Sequence, residues 1–396
     1  MRPFLVVAGG QFQLPLIYAI KARGFPIAVI DGDSKAPGFK LADSYEVLDI
    51  SNKEEVIRYA RKINPIAIAS IVSEIAVTSV AAAVKALNLP GISLETAETC
   101  TEKFKMRSVF IANGLPSPKF LAANNIVAAK LAAVEIGMPV VIKPVDSSGS
   151  RGVTRVDKIE DLEYAYKVAR SSSRSQKVII ESFLEGDEFT VETITVDGTT
   201  SILGFSKKQR IPFPHCVSVE LLYFNYFEQY LGEQIVNLVV DAINAVGLRN
   251  GAAHTEIILT NTGPVLVEIA ARGGGYEIFS KIIPAISNVN VIEVVIDLAL
   301  GLEPIIDSID TKCAVLKFFD SEKRGIIQSI SGIEEAKNIT GVIGLEIDSS
   351  IIGKTFNGIS RDGERLGYVI VLGDRVSEVL EIANEVRELI NFDINL

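Results

Sequence analysis

The chain has 396 residues, of which 48% are hydrophobic and 22% charged. This composition is typical of a globular protein that is long enough for two or three domains. The formal net charge of −10 argues against sequence-independent binding to nucleic acid, which needs a basic surface. The sequence contains no apolar run of about 18 residues and does not open with a signal-peptide pattern, so we predict a cytoplasmic protein without a membrane span.

Cysteine and histidine are both rare. The three cysteines, Cys100, Cys216 and Cys313, lie far apart in the sequence. We therefore expect free thiols in a reducing compartment. Only two histidines occur, His215 and His254, which argues against a zinc site built on histidine.

The first part of the chain predicts a small doubly wound α/β domain. An apolar strand over residues 3–9 stops at the turn Gly9-Gly10-Gln11, a helical pattern runs to Lys21, and a second strand covers Ile27–Ile30. Strands and helices then alternate to about Pro90, which is typical of βαβ units. The turn lacks the G-x-G-x-x-G spacing of a dinucleotide site, so we assign it no nucleotide.

Two predicted segments carry lysines: a helix whose lysines are ordinarily just solvated, and a strand whose lysine precedes a loop that suits phosphate binding. Lys103 lies on the first turn of a helix predicted within residues 99–120, a segment that ends in a glycine and two prolines and links two domains. The strand Pro139–Pro144 carries Lys143 and runs into a Gly/Ser loop, residues 146–153. Backbone N–H groups of such a loop can surround phosphate oxygens. The loop is not a Walker motif, and we predict a β-hairpin flap; the alternative is a flexible hairpin tip.

Acidic and basic side chains follow in the next two segments. A strand over Val178–Glu181 leads into a connector flanked by Glu181 and Glu188, whose carboxylates can accept hydrogen bonds from an amine or from ribose hydroxyls. Residues 205–219 are predicted to contain a short basic loop between strands, which holds an anionic substrate or is only a solvated turn. The basic residues of this loop are Lys207, Lys208, Arg210 and His215.

The segment from Ala252 to Tyr276 predicts a β-hairpin around residues 260–264, which have turn composition. Glu256 and Glu268 are equally far from Thr262, so an antiparallel ladder would place them directly opposite each other. Two facing carboxylates repel unless a cation lies between them, and Mg²⁺ takes one or two carboxylates together with substrate phosphates. The alternative is a pair of glutamates on a solvated face.

The rest of the chain is predicted to mix helices and strands. Helical periodicity covers Tyr230–Val246 and Val289–Gly301, and residues 313–373 have the short apolar runs and glycines of β-structure. Residues 374–389 predict a closing amphipathic helix.

Five motifs in this order resemble the ATP-grasp superfamily: EKFKMR, VIKPVDSSGSRGV, IIESFLEGDEFTVE, HTEI and VLVEIAARGGG. The similarity covers nearly the whole chain and includes a closing pattern at residues 365–370. It implies an ATP-grasp fold with an N-terminal doubly wound α/β domain, a small lid subdomain and a larger C-terminal mixed α+β domain, with ATP between the last two. We place these parts at residues 1–98, 121–197 and 198–396, with residues 99–120 as a linker helix.

Carried onto this sequence, the resemblance implies a site for ATP and for Mg²⁺ or Mn²⁺. Lys103 and Lys143 would contact the phosphates, Lys143 and Arg272 would act in catalysis, and the two facing glutamates would bind the metal. Ala270 stands where many family members have an asparagine ligand, so the number of metal ions stays open. The other implied cofactor-binding residues are Ser147, Ser148, Gly149, Ser150, Gly152, Glu181, Ser182, Phe183, Leu184 and Glu188. The implied substrate residues are Lys208, Arg210, His215, His254, Gly274 and Gly275.

The EIAAR pattern is similar to that of the amino-acid ligase branch. This implies an ATP-dependent carboxylate–amine ligase that forms an acyl phosphate, couples it to an amine such as an amino acid, and releases ADP and phosphate. A purine-pathway ligase or carboxylase acting on an aminoribotide is one alternative, suggested by the turn Ala8-Gly-Gly-Gln11. A non-catalytic nucleotide-binding protein is the other, suggested by Ala270. The expected partners are small-molecule substrates and a second copy of the chain, with no nucleic acid and no membrane.

Overall fold

The computed structural model describes residues 1–211, 217–224, 229–306 and 312–395. Its N-terminal part contains a parallel four-stranded sheet with the strand order β3-β2-β1-β4. The strands are β1 (Phe4–Val7), β2 (Ile27–Asp31), β3 (Ser44–Val47) and β4 (Ala67–Ala69), and the helices are α1 (Leu14–Ala22), α2 (Lys53–Ile63) and α3 (Glu74–Leu87). All four residues of β1 are buried, as expected for a parallel strand covered on both faces. The predicted βαβ alternation is confirmed.

Two helices connect this sheet to the rest of the chain: α4 (Leu94–Thr101) and α5 (Lys103–Ala112). The sequence analysis predicts only the second helix, because it does not identify Ser93 as the cap of α4. The Ser93 hydroxyl accepts a hydrogen bond from Thr96 N at the start of this helix. Glu102 separates the helices and caps α5, accepting hydrogen bonds from Phe104 N and Lys105 N. This cap places Lys103 on the first turn of α5, as predicted.

A small antiparallel sheet forms the lid subdomain, with the strand order β5-β8-β6-β7. Its strands are β5 (Phe120–Ala123), β6 (Val140–Pro144), β7 (Thr154–Val156) and β8 (Val178–Ser182), and its helices are α6 (Ile126–Ile136) and α7 (Leu162–Ser172). Strands β6 and β7 form the predicted hairpin around the Gly/Ser loop. The predicted boundary at residue 197 is wrong, because Asp187–Val196 pairs in the large sheet instead. The lid sheet therefore ends at Ser182.

The large sheet has eight strands in the order β13-β12-β9-β10-β11-β14-β18-β16. These are β9 (Asp187–Val196), β10 (Thr199–Arg210), β11 (Ser218–Tyr223), β12 (Gly251–Thr260), β13 (Gly263–Ala270), β14 (Cys313–Phe319), β16 (Val342–Glu346) and β18 (Gly367–Gly373). The prediction of a basic loop is wrong for Lys207, Lys208 and Arg210, which lie on β10. The strand β10 continues through these charged residues because each of them is paired with an acidic side chain of β9.

The helices of this part pack against the large sheet and a smaller one. They are α8 (Gln229–Ala245), α9 (Ile283–Ser287), α10 (Val291–Leu300), α11 (Ile333–Lys337) and α12 (Val376–Leu389). The smaller sheet has the order β17-β15-β19, formed by Thr355–Phe356, Gly325–Ser331 and Asn391–Asn395. The closing helix is confirmed as α12, whereas the strand β19 after it was not predicted.

One buried cluster joins the N-terminal sheet to the large sheet. It contains Phe4 of β1, Val291 of α10 and Leu316 of β14. On the rim of this contact, Arg23 Nη1 lies 2.6 Å from Asp297 Oδ1. Because the two sheets share a core, loops that leave the N-terminal sheet are held against the large sheet, where they form one wall of the cavity described below.

The two described cysteines, Cys100 and Cys313, are free thiols in buried positions, as expected; Cys216 lies outside the described residues. Within the described ranges, no single helix has the length and apolar character needed to cross a membrane. The segments Ile278–Ser287 and Val291–Leu300 meet those limits only when taken together, and they are bent by 112°.

Candidate functional site

A cavity of about 450 Å³ lies where the lid subdomain, the large sheet and the loop before α3 meet. The elements that line it come from all three parts of the chain. Most of the residues predicted from the sequence lie on its wall: Lys103, Lys143, Ser147, Ser148, Gly149, Ser150, Glu181, Ser182, Phe183, Leu184, Glu188, Lys208, Arg210, His254, Glu256, Glu268, Arg272 and Gly275. Gly152 and Gly274 lie next to the wall without lining it, and His215 lies outside the described residues.

Glu256 and Glu268 lie directly opposite each other on β12 and β13, as predicted. The hairpin closes with Thr260 opposite Gly263, and an unbroken ladder from that turn would place Glu256 opposite Val267. A β-bulge at Val267 shifts the register by one residue and pairs Glu256 with Glu268. Since a shift of one residue turns a side chain to the other face of a sheet, the bulge is what brings both carboxylates to the cavity.

Two lysines neutralise these carboxylates. Lys103 Nζ lies 3.1 Å from Glu268 Oε2, and Lys208 Nζ lies 2.5 Å from Glu256 Oε1. Burial raises the pKa of Glu256, but Lys208 and His254 outweigh it and hold that pKa well below its usual value. Burial lowers the pKa of Lys103, whereas the Glu268 carboxylate raises it, and the net shift is upward. The repulsion expected between the two glutamates is therefore relieved by basic side chains.

Lys143 is held by a buried chain of charges. Its Nζ lies 2.7 Å from Glu181 Oε2, and Arg107 Nη2 lies 2.9 Å from Glu181 Oε1. Burial raises the pKa of Glu181, but the two cations lower it further, to about 2. Glu181 is thus an ionised acceptor at neutral pH, and its carboxylate orients Lys143 beside the Gly/Ser loop.

The Gly/Ser loop crosses from the lid subdomain toward the opposite wall of the cavity. Gly149, Ser150 and Gly152 all have positive φ angles of 66°, 57° and 75°, which tightens the loop at its tip. A Cβ added at Gly149 would lie 3.5 Å from the carboxylate of Asp362, which also lines the cavity. A Cβ added at Gly152 would lie 2.7 Å from Ser172, so this glycine packs the base of the loop against α7.

Glu188 lines the cavity beside the connector between β8 and β9. Its carboxylate contacts Lys208 Nζ at 2.8 Å and also pairs with Arg210, both on the neighbouring strand β10. Lys208 therefore bridges Glu188 and Glu256, the acidic residues predicted to meet ribose and metal. Lys207, the residue before Lys208, points away and pairs with exposed Asp187. Strand alternation thus sends Lys208 and Arg210 into the cavity and Lys207 to solvent.

Arg272 reaches the cavity from the turn that follows β13. Its Nε lies 2.6 Å from a carboxylate oxygen of Glu74, the first residue of α3. Its Nη1 donates to Gly273 O at 2.9 Å. The Glu74 carboxylate overcomes the effect of burial and raises the pKa of Arg272. A residue of the N-terminal domain therefore orients the predicted catalytic arginine.

His254 lies on the same wall, beside the metal-binding candidates. Its Nδ1 contacts the carboxylate of Glu192, the residue opposite it on β9, and its Nε2 lies 3.7 Å from Glu256 Oε1. Glu192 is buried and also accepts a hydrogen bond from Gly274 N at 3.3 Å. Burial lowers the pKa of His254, but Glu192 and Glu256 raise it to about 9. The ring is therefore a fixed imidazolium whose Nε2 faces the cavity.

Sequence reasoning missed several charged residues at or beside this cavity, including Arg151 and Asp362 on its wall. Glu74, Arg107 and Glu192 are described above, and Arg365 stacks on Phe318 with 3.7 Å between its Cζ and the ring centre. A signal existed for two of them. Helical spacing puts Arg107 on the same face as Lys103, and Glu192 interrupts a strand of apolar and threonine residues. Glu74 gave no comparable signal, because its partner Arg272 comes from a distant part of the chain. Arg365 was part of the closing pattern at residues 365–370, but that pattern did not indicate its place at the cavity.

Among the described residues, no three His, Cys, Asp or Glu side chains are close enough to hold a metal ion by themselves. An ion between Glu256 and Glu268 would therefore need ligands in addition to these two carboxylates. Phosphate oxygens and water are the usual additional ligands of Mg²⁺.

Two protein-family models match the segments that build this site. A model of the ATP-grasp domain matches residues 136–279, and a model of the L-amino acid ligase C-terminal domain 2 matches residues 317–395. The first match runs from the lid subdomain through the facing glutamates to the turn carrying Arg272. The second match covers the segment that contributes Phe318, Asp362 and Arg365 to the cavity.

Several curated proteins align with this chain at low sequence identity. An uncharacterized protein of Sinorhizobium fredii is 27% identical over 78% of this chain, which spans only 64% of that relative. A formate-dependent phosphoribosylglycinamide formyltransferase of Prochlorococcus marinus is 28% identical over 97% of this chain and 96% of the relative. An L-arginine-specific L-amino acid ligase of Bacillus subtilis is 24% identical over 65% of this chain and 64% of the relative.

The solved structure of an L-amino acid ligase from Bacillus licheniformis shares the fold. It superposes with a TM-score of 0.84 over 100% of this chain and 99% of that one, at 22% identity. The predicted arrangement of an N-terminal α/β domain, a lid and a larger mixed domain is confirmed by this match.

Proposed function

We propose that this chain, which belongs to the ATP-grasp superfamily, is an ATP-dependent ligase that forms a C–N bond by joining a carboxylate to an amine, one of them supplied by an amino acid. The observation that carries this proposal is the cavity itself. Its lid side presents Lys143 and the Gly/Ser loop, its sheet side presents the facing pair Glu256 and Glu268, and its far side is formed by the segment that resembles the L-amino acid ligases.

The proposed reaction has two steps. A carboxylate oxygen of the first substrate attacks the γ-phosphorus of ATP, the bond to the β-phosphate oxygen breaks, and ADP leaves. The amine nitrogen of the second substrate then attacks the acyl carbon, the C–O bond to phosphate breaks, and the nitrogen loses a proton. The first step brings two anions together, and in the second negative charge develops on the acyl oxygen and on the leaving phosphate, so the site must supply positive charge.

The residues on the cavity wall supply that charge. Lys143, held by Glu181, lies on the strand that leads into the Gly/Ser loop, whose N–H groups are suited to phosphate oxygens. Arg272, held by Glu74, faces the same cavity from the opposite side. Because an acyl phosphate is hydrolysed by water, the loop that crosses toward Asp362 also serves to close the site during the reaction.

The chemistry of the donor set fits a divalent metal ion. Glu256 and Glu268 would hold Mg²⁺ or Mn²⁺, which when bound neutralises phosphate charge. Lys208 and Lys103 contact these two carboxylates and balance their charge. Lys103 also reaches the Gly/Ser loop, since its Nζ donates to Ser147 O at 2.8 Å. Lys103 would therefore lie between the metal ligands and the loop that is suited to phosphate oxygens.

A second candidate is a ligase acting on an aminoribotide, favoured by the formyltransferase of Prochlorococcus marinus that aligns with 97% of this chain. The turn Ala8-Gly-Gly-Gln11, which suggested this alternative from the sequence, does not line the cavity. Asp31 accepts a hydrogen bond from Gly9 N at 2.7 Å, and Gly38 N donates to Gly9 O at 2.8 Å. The turn is therefore engaged with its own domain, and we rank amino-acid ligation first.

The test is release of ADP from ATP in the presence of paired amino acids, with each acid and each amine also given alone. We expect ADP release only with a carboxylate and an amine together, and loss of release in Glu268→Gln. A parallel arm supplies aminoribotides with formate or bicarbonate, and turnover only in that arm would replace the first candidate with the second. A folded protein that binds ATP but releases no ADP in either arm would refute ligation.

A further inference from the structure

Arg107 is completely buried, and it is the largest side chain of this kind in the described part of the chain. It lies on α5, one helical turn after Lys103, and does not line the cavity. A buried guanidinium is costly unless its charge and its donors are matched. Its partners should therefore explain why the fold retains it.

One partner is the β-bulge. Arg107 Nη2 donates to Val267 O at 2.5 Å, and Val267 is the extra residue in the ladder between β12 and β13. A bulge leaves a backbone group of the bulged strand without a ladder partner. The guanidinium satisfies that carbonyl, so the bulge is retained where Glu256 and Glu268 need it.

The linker also satisfies the neighbouring groups on this strand. Strand β13 is the edge of the large sheet, and its outward groups would otherwise be unpaired. Leu266 N donates to Pro116 O at 3.0 Å, and Ile269 N donates to Met106 Sδ at 3.4 Å. With the Arg107 contact, three bonds from one linker segment, to Leu266, Val267 and Ile269, hold the edge in the bulged register.

The second partner of Arg107 is Glu181. The same Nη2 lies 2.9 Å from Glu181 Oε1, and the other carboxylate oxygen holds Lys143. One buried guanidinium therefore contacts both the strand that carries Glu268 and the carboxylate that orients Lys143. The two halves of the phosphate and metal site meet at this residue.

We propose that Arg107 is the positioning residue that sets the register of the Glu256–Glu268 pair, through the bulge at Val267, and fixes Lys143 through Glu181. This inference rests on the proposed function, in which the two glutamates bind the metal of Mg²⁺-ATP. Arg107 touches neither nucleotide nor metal, so its effect passes through other residues. Metal binding should depend on it more strongly than folding does.

Three variants separate the two contacts. Arg107→Met removes both, and Arg107→Lys keeps the charge on a side chain one bond shorter, which cannot reach both partners. Glu181→Gln breaks only the contact that leads to Lys143 and leaves Val267 O paired. Arg23→Met is the control, because Arg23 also bridges two partners, the carboxylates of Glu293 and Asp297, but does not line the cavity.

The measurements are Mn²⁺ binding by electron paramagnetic resonance at saturating ADP, and ADP affinity with Mg²⁺ and with EDTA. We expect Arg107→Met to weaken Mn²⁺ binding about tenfold or more, as for other residues that orient metal ligands, with Arg107→Lys in between. Glu181→Gln should weaken ADP binding by the same factor with and without metal. Arg23→Met should bind both ligands as the wild type does.

The outcomes distinguish this inference from the proposed function. If the wild type binds ADP without any Mn²⁺ or Mg²⁺ effect, the proposed metal site itself is refuted. If the wild type shows the metal effect and both Arg107 variants retain it in full, Arg107 does not set the glutamate register and the inference is overturned. Should Arg107→Met fail to fold, Arg107→Lys decides, since unchanged Mn²⁺ affinity in that variant has the same meaning.

Discussion

The charge on His254 should contribute measurably to the stability of the folded protein. Its pKa is raised from 6.5 to about 9, because the carboxylates of Glu192 and Glu256 outweigh the effect of burial. A group whose folded pKa is raised stabilises the fold fully below its unfolded pKa and loses that contribution as the pH rises through the folded value. The stabilisation should therefore be complete below about pH 6.5 and disappear as the pH passes about 9.

The magnitude follows from the shift in pKa. Each unit corresponds to about 1.4 kcal/mol, so a shift from 6.5 to about 9 amounts to about 3 kcal/mol of unfolding free energy. Replacing His254 with glutamine removes the titrating group. The wild type should lose this amount of stability relative to His254→Gln between about pH 6 and about pH 10.

Two measurements test this prediction, both without metal or nucleotide. The protein has only two histidines, so selective histidine labelling gives two imidazole signals whose pKa values are read directly by NMR. Urea unfolding of the wild type, His254→Gln and the control His215→Gln gives the stability difference at each pH. A His254 signal that titrates near its ordinary pKa of 6.5, or parallel stability curves for wild type and His254→Gln, would refute the reasoning.

Three further predictions concern positioning and packing. Gly273→Ala should lower the melting temperature, since the new Cβ would lie 2.1 Å from the ring of Phe279, and overpacking of this kind costs about 1–3 kcal/mol; an unchanged melting temperature would contradict it. Glu74→Gln should lower kcat about tenfold with little loss of stability, because Arg272 loses its charged partner. Steady-state kinetics with an unchanged kcat would count against the role of Glu74 in orienting Arg272. Glu181 has a pKa of about 2 in the fold, so the stability gap between wild type and Glu181→Gln should shrink as the pH falls from about 4.5 toward 2; urea midpoints that keep a constant gap would disprove it.

Local sequence patterns were sufficient for most of the fold. Alternating apolar strands and helices predicted the N-terminal βαβ domain, and turn residues predicted the hairpins around the Gly/Ser loop and around residues 260–264. The failures were local as well as long-range. The prediction places Asp187–Val196 in the lid, although this strand forms a hairpin with β10 and pairs with β12. The pairing with β12, which is distant in the sequence, leaves no trace in either segment alone.

The residue types of the site were also readable from the sequence, whereas their partners were not. Lysines, glycines and glutamates in a familiar order pointed to phosphate and metal binding, and nearly all of them line one cavity. The counterions within the site, such as Glu74 for Arg272 and Glu192 for His254, come from segments 198 and 62 residues away. Contacts of that kind depend on how subdomains pack, and periodicity within one element does not report it.

The pairing of Glu256 with Glu268 shows how the two levels of information divide. The sequence by itself determined that two glutamates flank a turn at equal distances, and hence that a hairpin could bring them together. The tertiary structure decided that they do, because the turn closes one residue earlier than that symmetry requires and a bulge at Val267 restores the register. The bulge persists because Arg107, on a helix 160 residues earlier in the chain, satisfies the Val267 carbonyl. A backbone group left unpaired inside a protein is costly, and only the packed structure could supply its donor.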